Sequence, residues 1–84
     1  MNSNYYLYIV RCKDYSLYIG ISSDPNKRIV RHNTKQGAKW IKQHGTAKIV
    51  YMEEFTDQLS ARKRETQVKK WSRIKKEQLI QGSL

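Results

Sequence analysis

The sequence predicts a small fold of the mixed α/β (α+β) class, with the element order β-β-α-β-α-α and a three-stranded antiparallel sheet flanked by helices. Two runs rich in aromatic and β-branched residues come first, and a helix-capping pair, Asp24-Pro25, follows them. After Thr56 the apolar residues recur with a helical period. A length of 84 residues leaves room for one core, so we expect a single domain over residues 1–84.

The first two elements are predicted to form a β-hairpin. Residues 5–12 (YYLYIVRC) and 17–21 (LYIGI) are predicted strands, and the short joint between them favours antiparallel pairing. Facing residues share one side of a sheet, so Tyr8 and Tyr18 lie on the same face only if the loop has an odd number of residues or a bulge. A three-residue loop at 14–16 would meet this condition and would pair Cys12 with Tyr18.

The middle of the chain is predicted as a helix, a basic loop and a third strand. Asp24 can cap the helix, Pro25 suits its first turn, and the helix should end near Asn33. Residues 34–46 are predicted to be a loop with about one turn of helix. Residues 48–55 are predicted to be the third strand.

The last third of the chain is predicted to be helical. Thr56 or Asp57 can cap the first helix, and Ser72 can divide the region into two helices, the second ending before Gly82. The spacing of the apolar residues predicts an inward face made of Leu59, Ala61, Val68, Trp71 and Ile74.

The charge of the chain indicates a polyanionic partner. Seventeen Lys and Arg stand against seven Asp and Glu, for a net charge of +10. A field of this sign attracts polyanions and speeds their association. Eight of the basic residues lie between Arg62 and Lys76, and such clustering is typical of nucleic-acid-binding proteins. We therefore expect a nucleic-acid partner, DNA in the first place.

Several classes of protein are excluded by the composition. Cys12 is the only cysteine, so an internal disulfide is impossible and the chain suits a reducing compartment. No apolar stretch is long enough to span a membrane, and the first residues lack the pattern of a signal peptide. We expect a cytoplasmic protein with neither a structural zinc site nor a membrane partner.

Four kinds of residue suit phosphodiester cleavage. The hairpin is rich in tyrosine, Arg28 and His32 share a helix face, and Glu65 is placed between Ala61 and Val68 on an inward face. Taken singly, each has a structural explanation in strand packing, chance spacing or ion pairing. Taken together, a phenol can activate or position water, an arginine can hold a phosphate and a carboxylate can hold a divalent cation.

These residues resemble the motifs of the GIY-YIG nuclease superfamily, and in particular its small stand-alone bacterial members. The matching positions are residues 6–8 (YLY), residues 18–20 (YIG), Arg28, His32 and Glu65. Arg28 follows Tyr18 by ten residues, and the resemblance covers nearly the whole chain.

The resemblance implies a role for each residue of the hairpin motif. Tyr8 and Tyr18 would position or deprotonate the attacking water, and Gly20 would leave room for the neighbouring catalytic groups. The first triplet is Tyr-Leu-Tyr rather than Gly-Ile-Tyr, so Tyr6 competes with Tyr8; Tyr8 is preferred.

The helical residues complete the implied site. Arg28 would bind the scissile phosphate, and His32 would assist proton transfer or contact the phosphate. Glu65 would be the single carboxylate ligand of one weakly held Mg²⁺ or Mn²⁺ ion.

Further residues are predicted to contact nucleic acid or to pack. Trp40 could stack on an unpaired base or cover the edge of the core. His44 is expected to be solvated, Trp71 to be buried and Cys12 to be a small strand residue. The predicted phosphate contacts are Arg31, Lys35, Lys39, Lys42, Lys69 and Lys70.

Three functions remain open from the sequence. The first is a metal-dependent endonuclease acting on DNA, possibly in a branched, nicked or single-stranded form. The second is a nucleic-acid-binding module that keeps the nuclease fold without turnover. The third is an accessory protein that docks on a ribosome or a larger repair assembly. A Glu65 carboxylate open to the tyrosines and Arg28 would favour the first, and one locked to a buried cation would favour the second.

Overall fold

The protein is an α+β fold, described by a computed structural model over residues 4–34 and 38–83. The elements in chain order are β1 (Tyr5–Cys12), β2 (Leu17–Ser22), α1 (Pro25–His32), α2 (Ala38–His44), β3 (Ala47–Phe55), α3 (Gln58–Lys69) and α4 (Arg73–Gln81). The strands form one antiparallel sheet in the order β2-β1-β3. The predicted fold class is confirmed, with α2 as an additional helix.

The loop predicted over residues 34–46, with about one turn of helix, contains a longer helix than expected. Residues Ala38–His44 contain neither glycine nor proline, and they form nearly two turns of helix. Trp40 anchors this helix on the core beneath it. Gly45, with φ of +81°, ends it by donating its backbone N–H to the carbonyl of Ile41 at 2.8 Å.

The hairpin loop has three residues, as the shared-face condition requires, but it lies one residue earlier than the loop considered above. Lys13, Asp14 and Tyr15 form it, so Val10 rather than Cys12 pairs with Tyr18. The Asp14 carboxylate accepts the Ser16 backbone N–H at 3.0 Å, and Tyr15 takes the left-handed φ of 69° that closes such a loop.

The two faces of the sheet carry separate hydrophobic clusters. On one face Leu7, Ile9 and Ile19 pack against α3 and α4. On the other face Tyr8, Val10, Cys12 and Ala47 pack beneath Ile29 of α1 and Trp40 of α2. Alternate residues of β1 therefore supply both clusters, and the Tyr8 face is covered by the two basic helices α1 and α2.

The C-terminal helices have the predicted caps. The Asp57 carboxylate accepts the Ser60 N–H at 2.7 Å, and the Ser72 hydroxyl accepts the Lys75 N–H at 3.2 Å. Gly82, with φ of +77°, ends α4.

The predicted inward face of these helices is partly wrong. Ala61 and Val68 are buried and Trp71 packs against the core, whereas Leu59 and Ile74 are 63% and 73% exposed. Leu59 lies about 200° around the helix from Ala61, and Ile74 belongs to a new helix whose period starts after the break at residues 70–72. Among the described residues, no helix has both the length and the apolar character needed to cross a membrane.

Candidate active site

The hairpin brings Tyr8, Tyr18 and Gly20 onto one face of the sheet. Tyr8 pairs with Gly20 across the two strands, and Val10 pairs with Tyr18. The Tyr8 side chain lies over Gly20 and is only 3% exposed, whereas Tyr18 is 38% exposed. A Cβ atom on Gly20 would lie 2.7 Å from the hydroxyl oxygen of Tyr8 and 3.2 Å from Cε2 of Tyr18. Glycine is therefore the residue that lets the two phenols approach each other.

The electrostatics of Tyr8 identify the groups around it. Burial raises the pKa of the Tyr8 phenol above its usual value of 10.0, and nearby Tyr18 and Glu65 raise this pKa further. Nearby Arg28 lowers it. The Tyr8 phenol is thus neutral at physiological pH. These four residues come from two strands and two helices, and the fold places them within electrostatic reach of one another.

The structure also separates the two candidate tyrosines of the first triplet. The Tyr6 hydroxyl points to the Glu54 carboxylate, 3.5 Å away, at the exposed end of the pairing between β1 and β3. Tyr8 instead lies over Gly20 and close to Arg28 and Glu65. The geometry therefore favours Tyr8 as the candidate catalytic tyrosine.

Arg28 presents its guanidinium group to solvent from the first half of α1. The helix begins at the predicted cap, where the Asp24 carboxylate accepts the Lys27 N–H at 3.1 Å. Arg28 is exposed and forms no ion pair with any described residue. It lines an open concavity of about 160 Å³ together with Lys27 and Arg31. Its donors are available to a phosphate.

Glu65 lies on the face of α3 that carries Ala61 and Val68, both fully buried. Its side chain is 17% exposed, and its carboxylate is 3.2 Å from the ammonium group of Lys69, which is itself 51% exposed. An ion pair at this helical spacing whose cation is half exposed contributes at most about 1 kcal/mol. The carboxylate is thus held by a solvent-facing cation that a stronger ligand could displace.

The residues present fit a weakly held divalent cation. Among the described residues no group of three or more His, Cys, Asp and Glu could hold a metal, so an ion at Glu65 would have few protein ligands. Mg²⁺ prefers oxygen ligands, keeps several waters and often uses one or two carboxylates with substrate phosphates. A site formed by Glu65, water and a phosphate held at Arg28 suits those preferences.

His32 and Tyr18 meet around Trp40. The Trp40 ring makes edge-to-face contacts with Tyr18, at 5.4 Å between centroids, and with His32, at 4.9 Å. Its Nε1 atom is buried and has no hydrogen-bond partner within the described part of the chain. Of the two roles predicted for Trp40, this packing favours covering the edge of the core over stacking on a base.

The imidazole of His32 is neutral and has an unused nitrogen. Burial lowers its pKa below the usual value of 6.5. Its Nε2 atom is buried without a hydrogen-bond partner among residues 4–34 and 38–83. A neutral ring with one unused nitrogen can accept a proton or a hydrogen bond from a group that enters the site.

The expectation that His44 is solvated was wrong. Its Nδ1 atom is 2.9 Å from the Asp14 carboxylate and 3.4 Å from the Ser16 hydroxyl, and its ring lies 4.5 Å from that of Trp40. Hydrogen bonds from Ser16, and then the one from His44, lower the pKa of Asp14 to about 2. The pair joins the hairpin loop to the end of α2.

The predicted nucleic-acid contacts lie on different surfaces. Arg31, Lys39 and Lys42 are exposed on α1 and α2. Lys70 is exposed at the end of α3, and Lys69 is paired with Glu65. Lys35 lies outside the described residues.

Asn33 is a positioning residue that the sequence analysis missed. Its amide nitrogen donates to the carbonyl oxygen of Ala47, and its amide oxygen accepts the Ala47 N–H, both at 2.9 Å. This pair of bonds joins the end of α1, and so Arg28 and His32, to the start of β3. An asparagine directly after a predicted helix was the available signal, but its partner could not be read from the sequence.

A family model and several relatives match most of this chain. The model of the GIY-YIG catalytic domain matches residues 4–78. The UPF0213 protein of Staphylococcus saprophyticus is 49% identical over 76 residues, which are 90% of this chain and 93% of that protein. The UPF0213 protein of Haloquadratum walsbyi is 38% identical over 81 residues, 96% of this chain and 91% of that protein. These names state no substrate.

A solved structure shares the fold. The solution NMR structure of the UPF0213 protein from Bacillus halodurans superimposes with a TM-score of 0.60 at 40% sequence identity. The match covers 93% of this chain and 83% of that one.

Proposed function

The chain belongs to the GIY-YIG family, and we propose that it is a metal-dependent endonuclease that hydrolyses phosphodiester bonds in DNA. The family is one of nucleases, so nuclease-type chemistry is the starting point. The single observation that carries the proposal is the convergence of Arg28, Glu65 and Tyr18 on the buried phenol of Tyr8. A cation suited to phosphate, a carboxylate suited to a metal and two phenols thus lie within electrostatic reach of one another.

Arg28 holds the scissile phosphate in this proposal. Its guanidinium group is exposed, has no acidic partner among the described residues and offers a planar fork of donors that matches two phosphate oxygens. Negative charge on the phosphoryl oxygens grows as the nucleophile attacks, so a cation fixed beside them stabilises the transition state more than the ground state.

Tyr8 positions the attacking water. Because its pKa is raised by burial, Tyr8 keeps its proton at neutral pH and donates a hydrogen bond rather than acting as a phenolate base. Tyr18 is more exposed and can contact the same water from the other strand. His32 is neutral and its Nε2 atom has no hydrogen-bond partner among the described residues, so it is the candidate acceptor for the proton that the water loses.

Glu65 would hold the divalent cation, Mg²⁺ or Mn²⁺. When bound, such a cation supplies positive charge beside the phosphate and the leaving oxygen. The carboxylate reaches this position because Ala61 and Val68 fix its helix on the sheet. Lys69 compensates the Glu65 charge when no cation is present.

The ion pair between Glu65 and Lys69 leaves one second candidate, a DNA-binding module that keeps the fold without turnover, although Lys69 is half exposed rather than buried. In that function Glu65 would be a structural ion-pair partner, and Lys69 would hold it permanently. The two functions assign different roles to Glu65 and Lys69.

Cleavage of branched, nicked and single-stranded DNA with Mg²⁺ or Mn²⁺ tests the proposal. Glu65→Gln and Lys69→Gln both break the ion pair, but only Glu65→Gln removes the metal ligand. We expect Glu65→Gln to eliminate metal-dependent cleavage while metal-free DNA affinity stays equal or rises slightly, because a carboxylate repels phosphate. Lys69→Gln should reduce cleavage far less.

Three outcomes would count against this proposal. Equal losses in both variants, accompanied by equal losses of stability, would make the pair structural. Wild-type DNA binding without cleavage under either metal would favour the binding module. Undiminished cleavage by Glu65→Gln would remove this residue from the site. Glu54→Gln, the same change at an exposed carboxylate on β3, is the matched control.

A further inference from the structure

The excess positive charge lies in the middle of the chain. Residues 25–52 contain seven basic residues and no acidic residue, a net charge of +7. Residues 53–84 contain eight basic residues but also five acidic ones, a net charge of +3. Residues 1–24 contain two basic and two acidic residues and so add no net charge. The C-terminal segment has the larger number of cations. The segment that contains α1 and α2 has the larger net positive charge.

Four of the eight C-terminal cations are occupied by contacts within the chain. Three of them pair with carboxylates, at N···O distances of 2.9, 3.2 and 3.3 Å, and a fourth lies 4.4 Å above the centre of the Trp71 ring. These are Arg64 with Glu53, Lys69 with Glu65, Arg73 with Glu77, and Lys75 over Trp71. Only the cations without such partners would meet a phosphate at no cost in internal contacts.

Five exposed cations of α1 and α2 line two separate concavities. Lys27, Arg28 and Arg31 line one concavity of about 160 Å³, and Lys39 and Lys42 line another of about 430 Å³. None of the five forms an ion pair with a described residue.

Two contacts define how this surface is built. The ring contact between His32 and Trp40, at 4.9 Å, joins the two helices. Asp24 is the acidic residue at this edge, and its carboxylate is used as the cap of α1, where it accepts the Lys27 N–H. The cations therefore face solvent across both helices with one carboxylate beside them.

We propose that the face formed by Lys27, Arg28, Arg31, Lys39 and Lys42, here called the α1–α2 face, binds the DNA phosphates that flank the scissile one. The α3–α4 cations then lie outside the DNA contact. The proposal rests on the proposed function in one respect, that Arg28 binds the scissile phosphate. Because the Trp40 ring is packed against Tyr18, His32 and His44, this face contacts the backbone rather than stacking on bases.

The salt dependence of DNA binding reports how many phosphates the cations of the α1–α2 face neutralise. Each neutralised phosphate contributes about −0.9 to the slope of log affinity against log salt concentration on duplex DNA. Lys27→Gln/Lys39→Gln removes two charges from the α1–α2 face, and Lys63→Gln/Lys75→Gln removes two charges from exposed lysines of α3 and α4. The titrations are run on one duplex without metal, so that cleavage does not contribute, and thermal melting checks that every variant is folded.

We expect the slope for Lys27→Gln/Lys39→Gln to be shallower than that of the wild type by about 1.8, with weaker binding at low salt. The slope for Lys63→Gln/Lys75→Gln should match the wild type. The reverse result, or equal changes in both variants, would contradict the proposal that the α1–α2 face binds DNA. The cleavage assay would then still test the proposed nuclease activity separately. Failure of the wild-type protein to bind DNA at low salt would instead overturn the proposed function together with the surface.

Discussion

The hydroxyl of Tyr8 lies directly over Gly20 on the neighbouring strand. A Cβ atom at Gly20 would be 2.7 Å from the Tyr8 hydroxyl oxygen and 2.9 Å from Cζ, closer than side-chain carbons approach other atoms. The buried phenol therefore owes its position to the missing side chain of its cross-strand partner.

Gly20→Ala should displace Tyr8 and reduce cleavage by about tenfold or more, because a small misplacement of a positioning group is costly. Overpacking should lower the free energy of unfolding by about 1–3 kcal/mol. Urea denaturation and initial cleavage rates check the two effects. In a Tyr8→Phe background the same change should cost less stability, since the closest atom is gone; an equal cost in both backgrounds would contradict the proposed clash.

Arg28→Ala should lower the cleavage rate by about 10²–10³-fold, the range seen when one transition-state donor is removed. Arg28→Lys should restore little of it, because an ammonium group lacks the planar fork of the guanidinium. Arg28 is exposed and has no ion pair among the described residues, so thermal melting should be nearly unchanged. Near-normal turnover by either folded variant would exclude Arg28 from the site.

His32 should produce an acidic limb in the pH profile of cleavage. The imidazole must be neutral to accept a proton, and burial lowers its pKa, so the rate should fall as the pH drops through a value below 6.5. His32→Gln should lower the rate and remove this limb, while His44→Gln should keep the limb. A limb that persists in His32→Gln would assign the titration to another group.

Asp14 should make the stability of the protein depend on pH in the acid range. Hydrogen bonds from Ser16 and then from His44 depress its folded pKa to about 2, so its contribution is complete above the unfolded value of 3.8 and is lost as the pH falls toward 2. Asp14→Asn should flatten the dependence of unfolding free energy on pH in this window. Urea titrations between pH 2 and pH 5 check this, and identical slopes for the two proteins would contradict it.

The strands and the odd length of the hairpin loop could be predicted because their determinants are local. Aromatic and β-branched residues mark β1 and β2, and side-chain alternation alone required an odd loop if Tyr8 and Tyr18 share a face. The position of the loop could not be predicted in the same way. It depends on the Asp14 contact with Ser16 and on Tyr15 taking a left-handed conformation that few residues other than glycine adopt.

The contacts around Trp40 could not be predicted, because they join distant parts of the chain. Asp14 and His44 are thirty residues apart, and Trp40 gathers Tyr18, His32 and His44 from three elements. Helix α2 exists largely through this packing, since its own seven residues are too few to be a stable helix alone. The concentration of net charge in residues 25–52, by contrast, was readable from the sequence once acidic residues were counted with basic ones.

Asn33 should stabilise the fold through its two bonds to the backbone of Ala47. Asn33→Ala leaves the Ala47 N–H and carbonyl without these partners, and each hydrogen bond contributes about 0.5–1.5 kcal/mol, so we expect a loss of about 1–3 kcal/mol in the free energy of unfolding. Asn33→Asp keeps an acceptor for the N–H but places a negative charge against the carbonyl oxygen, so it should not restore full stability. Urea denaturation of both variants measures the loss.

Asn26→Ala is the matched control, because Asn26 is an exposed asparagine on the same helix. It should leave stability within about 0.5 kcal/mol of the wild type. The two bonds of Asn33 also fix the end of α1 against β3, and α1 carries both Arg28 and His32. Asn33→Ala should therefore lower the cleavage rate even at temperatures where the protein is fully folded. Full activity with full stability would show that α1 is held in place by the packing of Ile29 on the core instead.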